Sequence, residues 1–164
     1  MLKLVKMMKI ADVRLTKEIS DRVRVRETKK IDLVFSHDNE NVVYSVRSIA
    51  KKVGFRLTDE VLIAVAASEL STNILRYAGR GMIEVSIVTD EASQVNGIEL
   101  FASDKGPGIN DIEQALKENY SSQANSLGQG LPSVQRIMDE FYIESVSGKG
   151  TRVLTRKWVD YGEN

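Results

Sequence analysis

Apolar and polar residues alternate along the first third of the chain in a way that predicts two strands and a helix. Residues 21–26 alternate with a period of two, as in a half-exposed edge strand, and residues 30–35 are typical of a second strand. A helix is then predicted over residues 38–53, with Asp38 as its N-terminal cap and Gly54 just past its end.

The remaining two thirds contain one long helical pattern followed by short elements. The predicted order is helix 58–77, strands 82–88 and 95–102, helices 111–118 and 131–140, and a hairpin of strands 141–146 and 151–158. Strands and helices do not alternate regularly. The pattern therefore favours an α+β fold, with a mixed sheet covered by helices on one face.

Composition narrows the class of protein. The 164 residues suit one domain, and 23 basic residues balance 23 acidic ones, so no net charge attracts nucleic acid or an anionic membrane. The absence of cysteine excludes disulfides and thiolate-bound metal, and His37, the one histidine, lies in a polar run typical of a surface. The apolar runs near the N-terminus are too short for a signal peptide or a membrane span, which predicts a cytoplasmic protein.

Glu69 and Asn73 are the first candidates for chemistry. They lie four residues apart in the longest predicted helix, so they share one helix face. A carboxylate and an amide at this spacing can hold one hard cation, or one can act on a substrate while the other holds the metal. The alternative is an ordinary solvated helix face.

Two glycine-containing segments are further candidates. Asp104 ends a predicted strand and is followed by Gly106, Gly108 and Ile109, which leaves a carboxylate exposed where the backbone can approach a ligand. This segment could also be only a turn. In the second segment, Gly128, Gln129 and Gly130 precede the helix that begins at Leu131, and helix N-terminal N–H groups bind anions.

Three motifs, taken together, resemble the ATP-binding signature of the gyrase, chaperone and histidine-kinase superfamily. In chain order they are Glu-x-x-x-Asn, Asp-x-Gly-x-Gly and Gly-x-Gly. The late Gly150-Thr151 pair looks like its final motif. The resemblance covers about residues 31–158. It implies a two-layer sandwich with a mixed, mostly antiparallel sheet and helices on one face.

The resemblance also implies a role for each residue. Asn73 would hold Mg²⁺ between the phosphates of ATP, Asp104 would bind the adenine amine, and Glu69 would be the general base. Thr151 would support Asp104 through a water molecule. The remaining ATP-binding positions would be the three residues of the adenine turn and the four around the second glycine pair: Gly106, Gly108, Ile109, Gly128, Gln129, Gly130 and Leu131. Residues 110–127 would form a short lid, for which we predict high mobility over 120–127.

Within the superfamily, the chain is similar to the small serine/threonine kinases, because it has neither a phospho-acceptor histidine with its helix pair nor further domains. The segments around Ser68–Asn73 and Gly130–Phe141 resemble the switch kinases of bacterial stress-sensing complexes. Anti-sigma factors, in which nucleotide chiefly controls protein binding, remain the alternative. The resemblance implies a regulatory partner protein that carries the acceptor serine or threonine, and it leaves open a phosphatase or sigma subunit as a further partner and a monomer or homodimer. Residues 29–164 would be the kinase domain, and 1–28 an extension of unknown role.

Overall fold

A computed structural model describes the backbone of residues 4–7 and, in full, residues 19–117 and 130–162. Six strands and four helices lie wholly within these residues. The strands are β1 (Leu4–Met7), β2 (Val23–Leu33), β3 (Gly81–Asp90), β4 (Asn96–Asp104), β5 (Glu140–Val146) and β6 (Gly150–Trp158). The helices are α1 (Asp38–Val53), α2 (Leu57–Asn73), α3 (Ile112–Ala115) and α4 (Gly130–Ile137), and a π-helical segment, Ile74–Ala78, follows α2.

All six strands form one sheet in the order β1-β5-β6-β4-β3-β2. The pairing of β1 with β5 is parallel and the other four pairings are antiparallel. Apolar side chains of the sheet, such as Val85 and Leu100, form one buried cluster with Val46 of α1 and Leu70 of α2. The predicted α+β sandwich, with a mixed and mostly antiparallel sheet, is confirmed.

Strand β2 differs from the sequence prediction because it is a single strand. It runs through the segment expected to separate two strands, with a shift of register against β3 between Val25 and Glu27. A bulge of this kind lets a strand absorb an extra residue without losing its partner. The predicted division of the chain at residue 29 falls inside this strand, so residues 23–28 belong to the same sheet as the rest.

Helix α1 ends as predicted but begins differently. Gly54 adopts a left-handed conformation (φ 107°), and its N–H reaches the carbonyls of Ala50 and Lys51 at 3.2 Å. Asp38 does not cap the helix: its carboxylate accepts the N–H groups of Val34 and Phe35 at 2.8 and 2.7 Å. These two hydrogen bonds lower the pKa of Asp38. His37 is exposed, as predicted, and its ring stacks on that of Phe35.

The later helices are shorter than predicted. The long helical pattern is α-helical only to Asn73 and continues as the π-helical segment. Helix α3 is capped by Asp111, whose carboxylate accepts the N–H of Gln114 at 3.0 Å. Helix α4 ends at Ile137 rather than at residue 140, because Asp139 is hydrogen-bonded to strand β6. Its N–H donates to the carbonyl of Arg156, and its carboxylate accepts the N–H of Trp158 at 2.8 Å. Within the described ranges, no helix combines the length and apolar character needed to cross a bilayer.

Candidate active site

A cavity of about 490 Å³ opens between the helices and the ends of β4 and β6. Its wall combines the C-terminal end of α2, the π-helical segment, the turn after β4, helix α3 and the start of α4. Seven predicted site residues lie in this wall: Asn73, Asp104, Gly108, Ile109, Gly130, Leu131 and Thr151. Residues from four separate sequence motifs are therefore brought to one cavity.

Asn73 and Gly130 line one end of the cavity, and Glu69, which does not line it, lies beside them. A methyl group placed on Gly130 would lie 3.1 Å from both side-chain polar atoms of Asn73 and 3.3 Å from the Glu69 carboxylate. The first residue of α4 thus sits directly against the Glu-x-x-x-Asn pair. Since the N-terminus of a helix carries free N–H groups and partial positive charge, this end of the cavity suits an anion.

Asp104 lies elsewhere in the wall and is held by two backbone groups. Its Oδ1 accepts the N–H of Gly106 at 2.8 Å and the N–H of Thr151 at 3.3 Å. Among the described residues, no donor hydrogen-bonds to its Oδ2. One carboxylate oxygen is therefore fixed by the turn, and the other is left to accept a hydrogen bond from a ligand.

The glycines after Asp104 are required by close backbone packing. Gly108 has φ 77°, and a methyl group on it would approach the carbonyl oxygen of Val146 to 2.3 Å. A methyl group on Gly106 would come within 2.5 Å of the Ala78 side chain. Gly106 does not line the cavity itself; instead it lets the turn pack against the π-helical segment.

Ser145 is a supporting residue that the sequence analysis did not identify. Its hydroxyl accepts the N–H of Ile109 at 2.7 Å, hydrogen-bonds to the Thr151 hydroxyl at 2.8 Å and contacts the carbonyl of Gly150 at 3.2 Å. Ser145 therefore ties the turn after Asp104 to the β5–β6 hairpin. Thr151 reaches Asp104 directly through its backbone N–H, and a water-mediated link from its hydroxyl stays a prediction. Only the position of Ser145, six residues before Thr151 across a predicted hairpin, could have indicated this pairing.

The π-helical segment supplies three further wall residues, Ile74, Tyr77 and Ala78. A π-turn inserts one extra residue into a helix and often occurs at functional sites. Nothing in the sequence distinguishes it from a continuing α-helix, so its contribution was missed. Asn110, Asp111 and Gln114, from the start of the predicted lid, also line the cavity, as does Pro132, which was not predicted.

Gly128, Gln129 and residues 118–127 of the predicted lid lie outside the described residues. Within the described ranges, no group of three or more histidine, cysteine or acidic side chains could hold a metal by itself. A cation bound at Asn73 would need further oxygen ligands, and the phosphates of a nucleotide supply these. The residues present therefore fit a metal–nucleotide complex rather than a free metal ion.

Comparisons with known proteins show what the chain is similar to. The serine/threonine-protein kinase RsbT of Bacillus subtilis is 42% identical over 113 residues, which cover 69% of this chain and 83% of the relative. An anti-sigma F factor of Thermoanaerobacter pseudethanolicus is 28% identical over 138 residues, covering 80% and 95%. A chain in the crystal structure of the SiaB–SiaC complex from Pseudomonas aeruginosa aligns with a TM-score of 0.48 and 14% identity over 92% of this chain and 99% of that one. Residues 35–157, which include both ends of the cavity, match the histidine kinase-like ATPase domain, and the chain belongs to that family.

Proposed function

We propose that this protein is an ATP-dependent serine/threonine kinase that phosphorylates a regulatory partner protein in a bacterial stress-signalling or partner-switching pathway. The observation that carries the proposal is the convergence of Glu69, Asn73 and Gly130, of which the last two line one end of a cavity whose wall also holds Asp104. The 42% identity to a serine/threonine-protein kinase supports this activity. We take residues 29–164, together with residues 23–28 of the same strand, as the kinase domain and the cytoplasm as its location.

ATP would lie with its adenine near Asp104 and its phosphates near the start of α4. The free Oδ2 of Asp104 accepts the exocyclic amine of adenine, and the glycine turn around Gly108 lets the base approach the backbone. At the other end, the N–H groups of Gly130 and Leu131 face the phosphates. Gly128 and Gln129 complete this phosphate site in the proposal.

Mg²⁺ would be held by the Asn73 side-chain oxygen together with phosphate oxygens. It would neutralise charge on the triphosphate and hold it in one geometry. The Gly130 backbone leaves room beside Asn73, since even a methyl group there would crowd the amide.

Phosphoryl transfer needs positioning and charge neutralisation more than covalent help from the protein. The acceptor serine or threonine oxygen forms a bond to the γ-phosphorus, the bond to the oxygen bridging the β- and γ-phosphates breaks, and ADP leaves. Glu69 orients the attacking hydroxyl and takes its proton. Among the described residues, no ion pair or hydrogen bond occupies the Glu69 carboxylate, which is only partly exposed.

The direct test is to incubate the protein with labelled ATP, Mg²⁺ and a lysate of its own host, and to identify the labelled protein by mass spectrometry. We expect one dominant acceptor labelled on serine or threonine. If label is transferred only to water, the kinase proposal is wrong.

An anti-sigma factor is the second candidate, favoured by the 28% identity to anti-sigma F factors over most of the chain. In that case nucleotide would chiefly control binding to a sigma subunit. A pull-down in ATP and in ADP separates the two candidates: nucleotide-dependent recovery of a sigma subunit favours the anti-sigma role, and recovery of a phosphorylated regulatory protein favours the kinase.

A further inference from the structure

The two neighbouring helices of the helical layer expose different surfaces. Helix α1 exposes mainly polar and charged side chains, including Glu40, Arg47 and Lys51, and a single large aromatic side chain, Tyr44, at 77%. Helix α2 is apolar on both sides. Its inner face is buried in the core, and its outer face exposes Leu57, Val61, Leu62 and Val65 by 67, 43, 39 and 42%.

These four side chains form one patch rather than scattered exposed residues. They are four of the nine large apolar side chains that the described part of the chain exposes. Leu57, Val61 and Val65 follow one another at intervals of four residues, so they lie along one face of the helix. Isolated exposed apolar residues are ordinary, whereas a continuous apolar helix face marks a binding surface.

The patch leads to the candidate catalytic residue. Glu69 is the next residue at the same four-residue interval after Val65. A protein that brings a hydroxyl to the Glu69 carboxylate must therefore approach the C-terminal end of this outer face. The apolar patch is continuous with the point at which the acceptor must enter.

The other end of α2 has charges of both signs. Asp59 and Glu60 lie in the first turn of the helix, and Glu60 is paired with Arg47. Arg56 precedes the helix, and Lys51 lies in the last turn of α1; both are exposed, and neither has an acidic partner within ion-pair distance among the described residues. The end of the patch far from Glu69 therefore has two basic groups without an ion-pair partner, which attract an acidic surface.

We propose that the outer face of α2, defined by Leu57, Val61, Leu62 and Val65, is the docking surface for the acceptor protein. This rests on the proposed kinase function. The partner presents an apolar surface to the patch, acidic groups to Lys51 and Arg56, and its serine or threonine at Glu69. Binding is strongest at low ionic strength, because exposed charges are screened by salt.

The test uses Val61→Glu, which places a charge in the centre of the patch and leaves the cavity wall unchanged. Val25→Glu is the matched control, because Val25 is 52% exposed on strand β2, away from α2. Leu57→Glu, at the start of the helix, is a second variant should Val61→Glu unfold. The probe is the host protein labelled in the lysate assay, purified without phosphate and titrated against each variant. ATP affinity and thermal unfolding are measured in parallel.

We expect Val61→Glu to weaken partner binding about tenfold or more and to raise the KM for the partner, because truncating or charging a central interface residue has effects of this size. ATP affinity and the behaviour of Val25→Glu should match the wild type. Unchanged partner affinity in both patch variants would overturn the proposal, and so would a change confined to the protein's own oligomeric state, which would assign the patch to a second copy.

Different results would contradict the kinase proposal and the docking proposal. Wild-type and Val61→Glu columns loaded with host lysate provide a readout that needs no phosphorylation. A host protein that, once purified, binds the wild type at least tenfold more tightly than Val61→Glu, yet is never labelled, contradicts the kinase proposal and assigns the patch to a partner that is not an acceptor. If the two columns retain the same proteins, the docking proposal is wrong, whatever the kinase assay gives.

Discussion

At the scale of single residues, Glu69 and Asn73 have different chemistry in nearly the same place. Both lie against Gly130, but only Asn73 lines the cavity, and Glu69 lies beside it. Only the carboxylate can accept a proton, and the neutral amide offers an oxygen to a cation without repelling the phosphates. The carboxylate is therefore suited to proton transfer and the amide to binding of the metal and phosphates, and substitution of each residue tests its role.

Glu69→Gln keeps the size and hydrogen-bonding reach of the side chain but cannot take a proton. We expect phosphoryl transfer to fall about 10² to 10⁴-fold, the usual contribution of a general base, while ATP affinity stays within about threefold. Asn73→Ala should weaken Mg²⁺–ATP binding as well as turnover. Single-turnover kinetics and nucleotide titration measure the two effects, and a Glu69→Gln protein that works at the wild-type rate would remove Glu69 from the mechanism.

Asp104→Asn tests the base specificity of the cavity. Asparagine can still accept the N–H groups of Gly106 and Thr151 through Oδ1, but it places an N–H₂ donor where Oδ2 is free. Two donors would then face each other when adenine binds, at a cost of about 1–3 kcal/mol. We expect ATP affinity to fall about tenfold without loss of thermal stability.

The wild-type protein should also prefer ATP to GTP by about tenfold, because guanine has a carbonyl where adenine has its amine. Thermal-shift measurements with both nucleotides check this preference. Equal stabilisation by ATP and GTP would show that Asp104 does not distinguish adenine from guanine.

At the scale of elements, the sequence predicted most helices and strands and the ends of helix α1 and strands β5 and β6, but not the ends of the later helices. Helix α1 and its terminal Gly54 could be predicted because a left-handed C-cap has a local sequence signal. The end of α4 could not, because it depends on hydrogen bonds between Asp139 and strand β6, far away in sequence. The π-helical segment and the single strand β2 likewise depend on tertiary pairing.

The residues of the site likewise include some with a local sequence signal and others whose role depends on tertiary contacts. Residues within motifs, such as Asp104 and Gly108, are found from sequence because their types and spacing are specific. Ser145 has an ordinary strand environment, and its role appears only when the β5–β6 hairpin is placed against the turn.

Ser145→Ala tests whether that link between elements supports nucleotide binding. Losing the hydroxyl leaves the N–H of Ile109 without its acceptor, which costs about 1–3 kcal/mol if no water replaces it. Since Ile109 lines the cavity, we expect ATP affinity to fall by about threefold to tenfold. Ser147→Ala, in the exposed hairpin turn, is the control and should change neither stability nor affinity. A Ser145→Ala protein with wild-type ATP affinity would reduce the residue to a role in the hairpin alone.

At the scale of the whole molecule, a buried ionic network joins the segment before β2 to the opposite half of the sheet. Arg156 is 1% exposed and pairs with Glu99 at 2.7 Å, while its guanidinium also donates to the carbonyl of Ile19 at 3.1 Å. Glu140 accepts hydrogen bonds from Arg22, Tyr142 and Trp158. Burial and the adjacent Glu140 raise the pKa of Tyr142 to about 12, so the phenol stays protonated as a donor.

This network also explains why residues before the predicted domain boundary are ordered with the sheet. Ile19 and Arg22 precede strand β2, yet both contact residues of β5 or β6. Neither contact could be expected from a sequence in which the charges of Arg22 and Arg156 look like ordinary surface charges. The network involves different residues from those of the nucleotide cavity, so its loss should affect folding before it affects chemistry.

A comparison of Arg156→Ala with Arg152→Ala, in the same strand, measures how much this network contributes to the free energy of unfolding. Removing Arg156 leaves Glu99, 12% exposed, without its cation, and breaking a buried ion pair typically costs about 3–5 kcal/mol. Arg152 lies four residues away in the same strand, so its side chain points from the same face of the sheet, but it is 56% exposed and pairs with Glu144 at the surface. A pair of that kind contributes about 0–1 kcal/mol. Urea unfolding should therefore show a large loss of stability for Arg156→Ala and a small one for Arg152→Ala, while the ATP affinity of the folded fraction is unchanged in both. If the two variants lost stability equally, the buried network would have no special role, and the segment before β2 would have to be held by other contacts.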